Sequence, residues 1–172
     1  FNNVANVTER IGNAKYFHST VVDSPNDPSI EVGSVTLDGT RSNIDYAITN
    51  DNGDVTTDGA GPDHYTIMWD GETLTLEGAK ISADSTQSRQ GAVYYDGDLK
   101  IELSGENTVS GAHFNLGAPS GFIGNYGIYV SGDVEISGDG TLHSTGGNTD
   151  VADGNTDVAD GIGVQSTGIY VG

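Results

Sequence analysis

The side chains best equipped for chemistry in this chain are carboxylates, and they recur beside glycine. Asp and Glu number 25 against 6 Lys and Arg, a formal charge of −19, and nine carboxylates but no Lys or Arg follow Lys100. Such a surface repels nucleic acid and anionic membrane. Carboxylates bind divalent cations through hard oxygen ligands, and calcium is the leading expectation. Asp70 and Glu72 flank Gly71, Asp96 and Asp98 flank Gly97, and Asp133 follows Gly132. Asp150, Asp153, Asp157 and Asp160, with Asn148 and Asn155, lie in a heptapeptide written twice over residues 148–161. That segment reads as a flexible acidic surface loop with oxygen ligands enough for one cation if it folds back. It matches neither an EF-hand nor a calcium-binding nonapeptide repeat.

Aromatic rings are the second resource, because sugar rings stack on flat aromatic faces while their hydroxyls meet carboxylates or calcium. Tyr94, Phe114 and Tyr126 are the expected exposed rings, and about half of the chain's aromatics should instead pack. Catalysis finds less support. A uronate lyase needs a basic side chain beside a bound cation, and only Lys80, Arg89 and Lys100 lie in the region of interest. A glycosidase needs two convergent carboxylates in a cleft, whereas the acids here recur as turn residues. His18, His64, His113 and His143 show no metal-ligand spacing. The expectation is a protein that is not an enzyme.

The elements that must position these groups emerge from internal repeats. One phrase recurs: an apolar residue, an acid beside glycine, alternating apolar residues, a Gly-rich turn and another apolar position. Trp69-Asp70-Gly71-Glu72 leads to Leu74, Leu76 and Ile81; Tyr95-Asp96-Gly97-Asp98 leads to Leu99, Ile101, Leu103 and Val109. Val130-Ser131-Gly132-Asp133 leads to Val134, Ile136 and Leu142, and a fourth copy begins at Ile162 and Val164. Successive starts are 26, 35 and 34 residues apart, so insertions such as residues 111–126 bulge from a common core. Alternation as in Leu99-Lys100-Ile101-Glu102-Leu103 places apolar side chains on one face of a strand.

Short strands and turns at this period predict an all-β fold, a right-handed parallel β-helix (β-solenoid), over residues 30–172, with repeats clearest from 67 onward. Earlier strands are expected at 34–37, 46–49 and 65–68, divided by the turn signals Asp-Asn-Gly-Asp and Asp-Gly-Ala-Gly-Pro. Residues 1–29 read as an N-terminal arm or cap: Phe1, Val4, Val7 and Ile11 have helical spacing, whereas residues 16–22 favour a strand. Stacking would line up Glu72, Asp98 and Asp133, with Asp70 and Asp96 beside them. Like charges at a strand spacing repel by ~3 kcal/mol at an effective dielectric near 20, so they splay into water or share a cation.

The phrases at 69–76, 99–109 and 127–142 resemble repetitive right-handed β-helical surface proteins of anaerobic Firmicutes, many labelled carbohydrate-binding. The resemblance implies surface attachment, glycan binding or assembly, and brings no catalytic motif. Cysteine is absent, no apolar run approaches the ~18 residues of a membrane span, and the chain starts at Phe1 without Met, from which removal of a leader and secretion to the cell surface are expected. Gly168-Ile169-Tyr170-Val171-Gly172 breaks off inside an apolar strand, so another chain is expected to cover it. Head-to-tail contact between identical subunits does not close and builds filaments. Ile169, Tyr170 and Val171 would form one side of that joint, and Tyr16, Phe17 and Val21 the other by adding a strand. An extracellular structural scaffold, a candidate filament subunit with calcium as a candidate stabiliser, is the leading expectation. A calcium-dependent module for acidic polysaccharide is the alternative, and a polysaccharide lyase or hydrolase a third.

Overall fold

Turn-forming glycines break this chain into short strands wherever apolar residues alternate, and the result is all-β. The computed structural model describes residues 6–11, 14–19, 29–83, 91–112, 114–116, 123–124, 126–147, 149–151, 164–165 and 168–172. The first strands are β1 (Asn6–Ile11), β2 (Ala14–Ser19), β3 (Ile30–Val32), β4 (Val35–Leu37), β5 (Asp45–Thr49), β6 (Val55–Thr56) and β7 (Ile67–Trp69). The repeats begin with β8 (Thr73–Glu77), β9 (Lys80–Ser82), β10 (Gly91–Tyr95), β11 (Leu99–Ser104), β12 (Glu106–Ser110) and β13 (Phe114–Leu116). They continue through β14 (Ile123–Gly124), β15 (Tyr126–Val130), β16 (Val134–Gly138), β17 (Thr141–Thr145), β18 (Thr149–Val151), β19 (Val164–Gln165) and β20 (Ile169–Val171).

Among the described residues these strands form three larger sheets, a five-stranded one ordered β20-β15-β10-β3-β4, a six-stranded one ordered β16-β11-β8-β7-β5-β6 and a three-stranded one ordered β17-β12-β9, with β1-β2, β13-β18 and β14-β19 as two-stranded pairs. Strands from successive repeats pair parallel, as in β8 with β11 and β11 with β16. The strands before residue 70 pair antiparallel: β3 with β4 and β10, β5 with β6 and β7, and β7 with β8. The expected right-handed parallel β-helix is therefore overturned, because the sheets are separate, two of the three are mixed, and none closes. Antiparallel pairing displaces the first coil: Asp70-Gly71-Glu72 turns β7 straight back along β8, whereas the equally short Asp96-Gly97-Asp98 carries the chain from β10 in the five-stranded sheet to β11 in the six-stranded one. Parallel pairing, which needs a crossover of about a dozen residues or more, is left to strands one whole repeat apart.

In the N-terminal segment, Asn6–Ile11 is a strand paired antiparallel with Ala14–Ser19, so the helical spacing of Val7 and Ile11 is not realised. Strands at Val35–Leu37 and Asp45–Thr49 fall where turn signals bracket them, while the third begins two residues later than expected, at Ile67.

The alternation in β11 is realised residue by residue, with Leu99, Ile101 and Leu103 buried and Lys100, Glu102 and Ser104 exposed. Leu74, Leu76, Ile81, Ile101, Val109 and Ile128 are fully enclosed in one cluster that also takes in Trp69 and Tyr95. The repeats predict Leu74, Leu99 and Val134 stacked over one another, and register departs from that alignment by two residues on one side of β11. Leu74 lies beside Ile101, while Leu99 lies beside Val134. Glycine secures the later alignment: a Cβ on Gly138, at φ +101°, would sit 2.1 Å from the Leu103 carbonyl oxygen. No other residue combines that backbone angle with that approach.

One polar side chain is buried among these residues. Asn107, with no exposed surface, accepts the Ala79 N–H through Oδ1 at 2.8 Å and donates through Nδ2 to the carbonyls of Ser104 (3.1 Å), Gly105 (3.4 Å) and Thr141 (3.2 Å). It thus ties three consecutive repeats. Leaving buried backbone groups unpaired costs about 1–3 kcal/mol each. Asn107→Ala is expected to lower the free energy of unfolding by about 3 kcal/mol in urea denaturation, against under about 0.5 kcal/mol for exposed Glu106→Ala. Equal midpoints for the two variants would contradict a bridging role.

Candidate functional site

The acidic turns are built by the carboxylates themselves. Asp70 Oδ1 accepts the backbone N–H of Glu72 (2.9 Å) and of Thr73 (2.7 Å), closing the β7–β8 turn. Asp98 Oδ1 accepts the N–H of Asp133 at 2.9 Å, and Asp96 Oδ1 accepts the Ser131 hydroxyl at 2.6 Å. These two contacts link the turn after β10 to the turn after β15. A Cβ on Gly132 would lie 2.3 Å from Asp98 Oδ1, so glycine is needed for that approach.

The expected column of Glu72, Asp98 and Asp133 is corrected accordingly. Asp98 and Asp133 are neighbours, but Thr73 pairs with Lys100, and Glu72 falls out of line with Asp98. Glu72 instead takes Arg41 and Lys100 as salt-bridge partners. All three side chains are over a third exposed, so solvent keeps these pairs weak. Among the described residues no three metal-ligating side chains come together. Asp150 lies on β18, paired with Asn115, while Asp153, Asp157 and Asp160 fall outside the described residues.

The aromatic residues are arranged in a way the sequence reading missed. Tyr94, Tyr129 and Tyr170 occupy matching positions on β10, β15 and β20. Their rings stack at 5.2 Å and 9° between Tyr94 and Tyr129, and at 5.1 Å and 11° between Tyr129 and Tyr170. All three are half-buried. The sign of this ladder in the sequence is a tyrosine just before the last apolar residue of each strand, in Tyr94-Tyr95, Tyr129-Val130 and Tyr170-Val171. Tyr126, expected to be exposed, is 1% exposed and lies against the rings of Tyr170 (4.9 Å) and Tyr129 (5.6 Å). Phe114 is on β13. Of the residues expected at a joint, Ile169, Tyr170 and Val171 form β20 at the edge of the five-stranded sheet. Tyr16 and Phe17 lie on β2, paired with Glu9 and Thr8, and Val21 is outside the described residues.

Two shallow troughs lie on the surface of the described residues. One, of about 290 Å³, is lined by Thr49, Asp51, Thr66, Lys80 and Glu106; Lys80 donates its ammonium to the Asp51 carbonyl. The other, of about 440 Å³, crosses the outer face of the six-stranded sheet between Tyr65, Glu77, Glu102 and Asp139. Comparison with protein families, curated proteins and solved structures gives no match, so nothing identifies the chain with the surface proteins its phrases resemble.

Two phenols have their pKa raised from the ordinary 10.0. Burial does most of this for Tyr95, followed by the charges of Asp98 and Asp96; for Tyr126 burial again leads, followed by Tyr170 and Tyr129. Each phenol ionises more readily in the unfolded chain, so its contribution to stability is intact below the ordinary value of 10.0 and is lost as pH rises through the folded value. Thermal midpoints should therefore fall with increasing alkalinity above that value. Tyr95→Phe should fall less steeply, and a slope identical to that of the parent would remove Tyr95 as a source.

Proposed function

We propose that this chain is a non-enzymatic structural scaffold of an extracellular or cell-surface layer, joined to further copies of itself through open strand edges. One observation carries the reading. Among the described residues β20, β16 and β17 each close one end of the three larger sheets, with nothing paired to their outer edges. Side chains there stand out of the core: Ile136 on β16 is 44% exposed and Val171 on β20 is 48% exposed, while Ile101, beside Ile136, is fully buried. Unpaired backbone groups beside exposed apolar side chains are a template for an added strand.

Calcium as a stabiliser belongs to the same proposal, supported by the exposed carboxylates of Asp98 and Asp133 on adjacent turns. A rise in thermal midpoint with added calcium, reversed by chelator, is the expected result; an unchanged midpoint removes calcium from the reading. Calcium-dependent binding of acidic polysaccharide is the weaker alternative, since Tyr126 is enclosed and the Tyr94 ring is stacked on Tyr129.

Electron microscopy and sedimentation of the purified chain over a range of concentrations test the assembly. The parent should form elongated oligomers, and the double substitution Ile136→Lys and Val171→Lys should shift it to monomer with its β-sheet circular dichroism unchanged. A parent that stays monomeric at every concentration overturns the proposal.

A further inference from the structure

The tyrosine ladder places phenols where oxidation can join them. A phenol that loses one electron and its proton becomes a phenoxyl radical with spin on the ring carbons ortho to oxygen. Two such radicals combine through an ortho–ortho carbon bond when they meet within their lifetime. In solution that encounter is bimolecular and rare; fixing the partners beside each other makes it unimolecular, with a gain of orders of magnitude in effective concentration. Tyr129 and Tyr170 are fixed in this way, on paired strands, with ring centres 5.1 Å apart, and neither residue is fully buried, which leaves the pair open to an oxidant.

We propose that Tyr129 and Tyr170 are a site of oxidative dityrosine formation, with a peroxide acting through a haem peroxidase as the oxidant. Two phenols give up two electrons and two protons, and one carbon–carbon bond forms between the rings. The hydrogen on each coupled carbon moves to its oxygen as the ring regains aromaticity. The chain loses two hydrogen atoms in all, and one hydrogen peroxide is reduced to two waters. Bonding requires stacked rings to turn toward one another. Tyr170 can do this because β20 is an edge strand, whereas Tyr94 is held on β10 between β15 and β3. Tyr126, packed on both rings of the pair, limits how far they can separate. The product would tie the third repeat covalently to the fourth. The inference goes beyond the scaffold reading and does not depend on self-assembly, since the bond lies within one chain.

The full chain, dilute and monomeric, is treated with a haem peroxidase and limiting hydrogen peroxide. The expected product is a monomer lighter by two hydrogen atoms, with dityrosine fluorescence and a Tyr129–Tyr170 link in its peptide map. Unfolding in urea and the substitution Tyr129→Phe should each lower the yield of intramolecular product by about tenfold or more. Tyr46→Phe should leave the yield unchanged, although Tyr46 and Tyr65 are also close, at 5.4 Å with rings tilted by 50°. A link found only between chains, a link at Tyr46 and Tyr65 instead, an equal yield from unfolded chain, or no dityrosine at all would each overturn the assignment. Circular dichroism of Tyr129→Phe confirms that a lost link is not a lost fold.

Discussion

The carboxamide of Asn107 has no water to turn to, and the three-stranded sheet of β9, β12 and β17 is placed with respect to it. Its oxygen takes an N–H from the repeat before and its nitrogen reaches a carbonyl in the repeat after. Apolar side chains are tolerant of small slips, since burial is non-directional. A buried amide is not tolerant, because any slip leaves backbone groups unpaired. Ala79, Asn107 and Thr141 therefore sit at fixed heights, and β9, β12 and β17 follow in parallel register. The insertions between repeats differ in length because they lie outside this constraint.

The two halves of the molecule use their short turns differently. Asp70-Gly71-Glu72 folds β7 back antiparallel on β8, whereas the equally short Asp96-Gly97-Asp98 and Ser131-Gly132-Asp133 pass the chain from the five-stranded sheet to the six-stranded one. Residues 69–76 read like the later phrases, yet Trp69 is on β7 and lies beside Leu74 across a hairpin, whereas Tyr95 and Val130 are on β10 and β15 in another sheet. Similar words are thus used in two ways, and the length of the turn, three residues in each, does not decide between them.

Much of the burial pattern was legible in the residues themselves, and register was not. In β11 the alternation named the buried side chains one by one. The same alternation cannot distinguish a shift of two residues, because side chains recur with period two and an even slip preserves both faces. That is why the alternation fits Leu74 against Leu99 as well as against Ile101; Glu72 lies in a turn, where no alternation fixes the register, and meets Arg41 and Lys100 instead of a column of acids. The tyrosine ladder was hidden for a related reason. Its members come together only when three strands far apart in sequence share one register, and Tyr126 was misjudged because its burial depends on Tyr129 and Tyr170.

Charge is distributed so that it does not compete with this interior. On the outer face of the six-stranded sheet Thr73, Lys100 and Glu135 follow one another across adjacent strands. Opposite charges side by side on neighbouring strands each add only a few tenths of a kcal/mol, yet like charges there are unfavourable. Glu135 is at the open edge, so a strand arriving at β16 meets a carboxylate beside exposed Ile136. The apolar side chain favours association without selecting a partner. The carboxylate does the selecting, since a strand with a cation opposite Glu135 continues the alternation and one with an acid is repelled. With 25 acids and 6 cations among 172 residues, most registers of a second copy bring an uncharged residue to that position, and the charged ones bring an acid more often than a cation. Lys100 has already faced this choice within the molecule, where it separates Glu72 from Glu135.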